Sequence, residues 1–307
     1  QGYEKKRGAV LDFNKFMLSG EGEFSLKLGD THLSEYVITL DSDTLTCDCA
    51  ELVAMKAHPY CADSAILSVN CKPNGKRSLY AKLFAGETGP GRYRQSNADI
   101  SHDLFGLGNY TGKGIYDVKK FQAGLENFFP DNRILSHDYI EGAVAGCMNS
   151  SLNASEDFPQ TFEAGFTRDL RWLRGDWQLL PYTRGKIKNK EGVKRKSSIA
   201  PAAAFAIALN LVLSLVPVAQ LFVLGAALAA YPYPSVLVIA FAPQILRSVF
   251  ALAAAYGNPR AALAEIARCL FDIALLPTLA IYKLCAVAVT LYRLAVGRKL
   301  LEWSVFA

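Results

Sequence analysis

The sequence predicts an α/β domain over residues 1–196 followed by an α-helical membrane region over residues 197–307. Three observations lead there. The 51% hydrophobic content of the 307 residues is uneven, with long runs of Ala, Leu, Val, Ile and Phe and few charges after Ser197. Before that point, short β-branched and aromatic runs alternate with stretches of helical periodicity, as in mixed α/β domains. Between the two lies a basic cluster, Arg184, Lys186, Lys188, Lys190, Lys194, Arg195 and Lys196, which holds much of the net charge of +5. A cluster there suits the cytoplasmic flank of a membrane segment better than a nucleic-acid arm.

The first element is a basic turn, Lys5-Lys6-Arg7, running into an amphipathic helix that ends near Phe16. A polar, glycine-containing stretch over residues 19–30 separates it from residues 35–40, Glu-Tyr-Val-Ile-Thr-Leu. That run is expected to be a buried strand, and it stops at once in Asp41-Ser42-Asp43-Thr44. Two carboxylates flanking one residue at a strand end suit Mg²⁺, which takes one or two carboxylates and completes its shell with water and phosphate oxygens. The same triplet also occurs in solvated turns.

Seven cysteines form an odd set without a regular framework, which points to a reduced, cytosolic domain. Cys47, Cys49, Cys61 and Cys71 fall close together, but their spacing matches no common structural zinc pattern. His32, His58 and His102 have no sequence partners at metal-ligand spacing. The first residues do not have the pattern of a signal peptide, and they suggest part of a longer polypeptide.

Residues 79–84 are a short mixed segment and residues 86–94 a Gly/Pro-containing loop. Gly106, Gly108, Gly112 and Gly114 then cluster around Lys113. Glycines let a backbone approach a ligand closely, yet this spacing is neither a P-loop nor a dinucleotide fingerprint. A substrate-lining loop, with Gly112 and Lys113 as its binding residues, and a plain turn both remain open. A helix is expected over residues 117–128, a break at Phe129-Pro130-Asp131-Asn132, and another acid, Asp138, after the apolar pair Ile134-Leu135. Residues 139–147 again look helical, with Glu141 near the start.

Phe166, Leu170, Leu173 and Trp177 recur at i, i+4, i+7 and i+11, which makes one apolar stripe of a helix. Arg168 and Arg171 then share another face, where two guanidinium groups can clamp a diphosphate. The plain alternative is a surface helix with solvated arginines.

In the C-terminal third, residues 201–230 hold no ionisable side chain and are long enough to cross a bilayer, with Pro217 as a kink. Tyr231-Pro232-Tyr233-Pro234 makes an uncharged turn, and residues 235–256 return with Arg247 as their one charge. Residues 258–269 suit an interfacial helix. Residues 270–296 carry Asp272, Pro277, Lys283 and Arg293, and Lys283 is too central for an easy span. Two spans plus a surface-lying or re-entrant third segment are therefore expected.

Five stretches together carry a resemblance: Lys6-Arg7-Gly8; residues 36–44 around Asp41-Ser42-Asp43-Thr44; residues 104–118 around Gly112-Lys113-Gly114; residues 132–142 around Ser136-His137-Asp138; and residues 168–178 around Arg171-Trp172. Leu300-Leu301-Glu302-Trp303 adds to it. In this order they resemble the glycosyltransferase domain of the cyclic β-1,2-glucan synthase family. The resemblance implies a GT-A type domain related to the processive cellulose and chitin synthases. Residues 1–196 would be its C-terminal part, and residues 197–307 a transmembrane hairpin with interfacial helices. It further implies a first βαβ unit upstream of Gln1 and a phosphorylase-like region downstream. Residues 47–71 depart from the family's pattern.

By the same resemblance, Asp41 and Asp43 match the motif that holds the metal, Mg²⁺ or Mn²⁺, and the nucleotide sugar. Asp138 matches the general base. Arg168, Arg171 and Trp172 match a Q-x-x-R-W motif, with Arg168 where the relatives carry Gln. The implied activity is that of a membrane-anchored inverting hexosyltransferase building a β-1,2-glucan from UDP-glucose. Its partners would be a nucleotide-sugar donor, a glucan acceptor, the lipid bilayer and further domains of the same polypeptide, without nucleic acid. Its place would be the inner membrane, with the catalytic domain in the cytoplasm. A synthase of another β-linked polysaccharide and a non-catalytic membrane adaptor that kept the fold are the alternatives.

Overall fold

The computed structural model describes residues 5–22, 24, 33–45, 48–75, 77–85, 104–230, 233–254 and 257–302. His32, Cys47, the loop over residues 86–94, His102, Tyr231, Pro232 and Trp303 lie outside them.

A five-stranded sheet organises the first 160 residues or so. Its strands are β1 (Tyr36–Thr39), β2 (Thr44–Leu45), β3 (Ile66–Asn74), β4 (Gly114–Asp117) and β5 (Cys147–Asp157), in the order β1-β4-β3-β5-β2. Among the described residues, β3 and β5 are the one parallel pair and the remaining pairs are antiparallel. The centre is buried at Ile66–Cys71 and throughout β4. The strand expected to be buried, β1, is instead an edge strand. It pairs with β4 alone, and all four of its residues keep intermediate exposure. An edge position leaves the chain free to turn out of the sheet at Asp41.

Helices cover the sheet where the sequence supplies caps and apolar spacing. α1 (Lys5–Ser19) reaches the core through Phe16 and through Asn14, whose Oδ1 accepts from the Tyr116 hydroxyl at 2.8 Å. α2 (Cys49–Ala57) and α3 (Pro59–Ala62) lead into β3, and α4 (Leu79–Phe84) follows it. Cys61 and Cys71 are buried in an apolar cluster with Leu52, Leu67 and Ile115, whereas Cys49 is exposed. α5 (Val118–Leu125) starts at Asp117, whose Oδ1 accepts from Lys120 N at 2.9 Å. It ends earlier than the expected residue 128, because Asn127 takes a left-handed φ of 58°. α6 (Asp138–Ala145) follows, and then β5.

The arginine-bearing helix is α7 (Phe162–Gln178), with the Thr161 hydroxyl accepting from Ala164 N at 3.2 Å as its N-cap. Leu170, Leu173 and Trp177 are buried along it as their spacing predicts. Its C-terminal end holds two distant segments: Gln178 Oε1 accepts from Leu135 N at 2.7 Å and Gln178 Nε2 donates to Leu300 O at 2.8 Å.

Beyond a two-stranded ribbon, β6 (Lys186–Lys188) and β7 (Lys194–Lys196), the described residues are mainly helical. α8 (Pro201–Ser214) and α9 (Val216–Ala230) are separated at Leu215, two residues before Pro217, where the kink was expected. α10 (Pro234–Ala254), α11 (Pro259–Ala274) and α12 (Leu276–Val296) complete the fold. Among the described residues, three segments are long and apolar enough to cross a membrane: Pro201–Ala229, Ser235–Ala253 and Leu276–Val296. The third, expected to be surface-lying or re-entrant, thus qualifies by length and composition, and it packs beside α7, with Tyr282 edge-on to Phe166 at 5.4 Å. α11 clips this region to the sheet domain through Arg268, which donates to Leu83 O at 2.8 Å.

Candidate active site

The chain leaves β1 through a turn that Thr44 closes: its N–H donates to Asp41 O at 3.0 Å, and its hydroxyl accepts from Asp41 N at 3.2 Å. This fixes the Asp41 carboxylate between two ammonium groups, Lys6 from α1 and Lys113 at 3.0 Å. Burial alone would raise the proton affinity of Asp41, but the two lysines outweigh it and hold the carboxyl below its ordinary value. Lys113 also donates to Glu156 Oε2 on β5 at 2.7 Å. Its burial would favour the neutral amine, yet Glu156 and Asp41 keep the ammonium form and raise its pKa. Asp43 is exposed on the same turn.

The glycine stretch joins this cluster to the second acid. Gly112 has φ of +78°, and a Cβ there would stand 2.8 Å from Asp138 Oδ1. The preceding Gly108 lies against β5, its N–H donating to Cys147 O at 2.9 Å. Two adjacent residues, Gly112 and Lys113, therefore bring Asp138 and Asp41 to one place.

Asp138 is the first residue of α6, with its side chain about one third exposed. Burial is the largest influence on it and raises its proton affinity; Glu141 and Asp41 push the same way, and His137 and Lys6 push back. Behind it, His137 Nδ1 lies 3.3 Å from Asp138 Oδ1 and 3.0 Å from Glu141 Oε2. Burial would strip His137 of its proton, but the two carboxylates push its pKa up to about 9. Glu141 in turn faces Arg7 Nε at 3.5 Å, and the Arg7 guanidinium lies 4.6 Å over the Phe129 ring.

α7 touches this region by its C-terminal half: Gly175 packs so tightly on Ser136 that any Cβ there would collide with the serine hydroxyl. One and two turns earlier sit Arg171 and Arg168. The Arg168 guanidinium is stacked 4.4 Å over Trp172 and 4.9 Å over Phe158, with Nε 3.6 Å from Asp169. Trp172 keeps 39% of its surface exposed.

Of the residues singled out from sequence, the structure gathers Asp41, Gly112, Lys113 and Asp138 into one cluster and Arg168 with Trp172 into another on α7. The sequence reading missed Glu156 as the partner of Lys113, and His137 and Glu141 as neighbours of Asp138. His137 and Glu141 had a visible signal, since i and i+4 on a helix start face each other. The donor set at Asp41 and Asp43 is all carboxylate oxygen, which fits a hard divalent cation in kind. Both Asp41 oxygens already contact ammonium groups, so a cation would enter as Lys6 turned toward another anion.

An α/β sheet whose edge carries a carboxylate and lysine cluster, joined to apolar helices of membrane-spanning length, defines a mixed α/β protein with a C-terminal helical region that could cross a membrane. Over 203 residues, 59% of its length, the chain is 34% identical to the cyclic β-(1,2)-glucan synthase NdvB of Rhizobium meliloti (strain 1021). This similarity supports the cyclic β-1,2-glucan synthase family to which the motifs pointed. The match takes in about 7% of that relative's length. No protein-family model matches the chain.

Proposed function

We propose that the chain is part of a membrane-anchored inverting glucosyltransferase that builds a β-1,2-glucan from UDP-glucose, with residues 1–196 as the C-terminal part of a GT-A domain on the cytoplasmic face of the inner membrane. The observation that supports this best is the approach of Gly112 to Asp138 beside the contact of Lys113 with Asp41. On this reading a proton acceptor would stand next to a place for a diphosphate.

In a donor such as UDP-glucose the leaving group is α-linked, so a β product requires inversion in one displacement. Asp138, partly exposed and with raised proton affinity, takes the acceptor hydroxyl proton as the new bond forms. Lys6 and Lys113, and Arg168 and Arg171 from α7, neutralise the departing diphosphate, whose charge grows in the transition state. Mg²⁺ or Mn²⁺ held by Asp41 and Asp43 would supply Lewis acidity toward the same diphosphate. Trp172, 39% exposed beside the Arg168 guanidinium, would offer its accessible indole surface to a sugar of the glucan acceptor.

The test uses the full polypeptide that contains this sequence, in membranes, with labelled UDP-glucose. Asp138→Asn is expected to abolish incorporation, and incorporation that survives the substitution overturns the assignment. Competition between UDP-glucose and UDP-N-acetylglucosamine separates a glucan synthase from a synthase of an amino-sugar polymer. Absence of transfer from either donor in the unsubstituted protein would leave the non-catalytic adaptor as the better account.

A further inference from the structure

We propose that His137 is a positioning residue for Asp138: as an imidazolium clamped by Glu141, it fixes both the orientation and the charge of the carboxylate. This rests on Asp138 being the proton acceptor of the transfer reaction.

The geometry begins with burial. His137 is 9% exposed, Glu141 3% and Arg7 4%, so three ionisable side chains meet out of water. Such groups persist only when they compensate one another. Arg7 from α1 faces one oxygen of Glu141, and His137 Nδ1 faces the other at 3.0 Å. Glu141 is held from both sides, and it holds the imidazole ring. The same Nδ1 is 3.3 Å from Asp138 Oδ1, a longer approach. The ring therefore acts on Asp138 mainly as a fixed positive charge along one edge of the carboxylate, while Gly112 lets backbone close over it.

The charge balance around Asp138 makes this matter. Glu141 on the same helix and Asp41 from the β1 turn both disfavour its ionised form, as does burial. The opposing cations are His137 and, from α1, Lys6. Facing His137 are Glu141 and Asp138 as anions and Arg7 as a cation. The neutral Tyr110 hydroxyl is committed to Thr39 at 3.0 Å, and that of Tyr116 to Asn14. Remove the imidazolium, and Asp138 keeps two anionic neighbours and one cation that it shares with Asp41. A general base in that setting is protonated over more of the neutral range and stops accepting protons.

The experiment is the pH profile of glucose transfer by the full polypeptide in membranes, for wild type, His137→Gln and Glu141→Gln. In His137→Gln the acidic limb of kcat is expected to move to higher pH by about one unit, so that kcat at pH values along that limb falls about tenfold, with KM for UDP-glucose little changed. An acidic limb that superposes on wild type overturns the proposal, whether or not the rate falls, because a merely structural role lowers the rate without moving the limb. Glu141→Gln keeps the side-chain shape and tests the clamp independently. With the imidazole no longer held by a carboxylate, Asp138 is less well oriented, so kcat should fall while KM for UDP-glucose changes little; an unchanged kcat also overturns the proposal. Asp138→Asn separates the two levels: if it transfers glucose, the proposed base is wrong, whereas if it is inactive and the acidic limb of His137→Gln does not move, only the role of His137 is.

Discussion

Gly112 and Asp138 are in such close approach that residue 112 has room for a hydrogen and nothing more: a Cβ would lie 2.8 Å from Oδ1 and 2.9 Å from the carboxyl carbon. The φ of +78° adds a second reason for glycine. Gly112→Ala should therefore push the Asp138 carboxylate aside and strain the turn, by about 1–3 kcal/mol for the backbone alone. A displacement of this kind is expected to reduce glucose transfer about 100-fold. Gly106→Ala is the matched control, because Gly106 has φ of +64° but, among the described residues, nothing within 4 Å of the added carbon. It should show strain in thermal unfolding while keeping most of the transfer rate.

Lys113 joins an acid of the proposed site to an acid of the sheet, so its removal should be felt as stability as well as activity. Lys113→Met would leave Glu156, 7% exposed, as a buried anion without its ammonium partner. Breaking a buried pair from one side costs about 3–5 kcal/mol, most of it the uncompensated charge. The double variant Lys113→Met with Glu156→Gln removes both charges, so its unfolding midpoint should lie well above that of Lys113→Met. Equal midpoints would mean that Glu156 is compensated by other groups.

How far the sequence disclosed this fold depends on which physical signal each element used. α7 was legible because its apolar residues keep a helical period, and the turn at Asp41 because a β-branched run stops abruptly in acids. The edge position of β1 was not, since its partner β4 lies more than 70 residues on and pairing is a long-range property. β3 and β5, the parallel centre of the sheet, were also missed. β5 reads Cys-Met-Asn-Ser-Ser-Leu-Asn-Ala-Ser-Glu-Asp, poor in the residues that favour strands. Its polar side chains are used across the sheet instead: Asn70 Nδ2 donates to Asn153 Oδ1 at 2.8 Å. Because β5 was unseen, Glu156 could not be assigned to Lys113. In the site, residues in one short run such as Asp41 and Asp43 were legible, whereas the meeting of Asp41 with Asp138 depends on the path of the Gly112–Lys113 turn.

Asp176 on α7 gives a pH dependence with a definite sign. Burial raises its pKa to about 6, partly offset by Asn210, whose Nδ2 donates to Asp176 Oδ2 at 2.9 Å. The folded-state value is above the ordinary 3.8, so folding favours the protonated acid. The stability this contributes is full below the unfolded pKa and is lost as pH rises through about 6. Asp176→Asn, which is neutral at every pH and still presents an oxygen to Asn210, should then match wild type near pH 4 and exceed it at pH 8. Thermal unfolding at both pH values checks this; a variant less stable at pH 8 would mean that the carboxylate is better solvated than its burial implies.

Gln220 and Gln244 are a test of the membrane region that is independent of the active site. Gln220 Nε2 donates to Ala240 O at 2.7 Å and to Gln244 Oε1, and Gln244 Nε2 returns a bond to Gln220 Oε1 at 3.1 Å. Both residues are buried, between α9 and α10. In hydrocarbon no water can replace a lost partner, although measured side-chain bonds between membrane helices are worth only about 0.6 kcal/mol on average and up to about 1.7 kcal/mol. Gln244→Leu leaves Gln220 Oε1 without its Gln244 donor and Nε2 with Ala240 O, and should lower stability in bilayers by about 1 kcal/mol or slightly more. Adding Gln220→Leu removes the stranded amide, so the double variant should recover part of that loss. Unfolding in bilayers or mild detergent decides it: a double variant less stable than the single one would show that Gln220 holds the two helices through Ala240 alone.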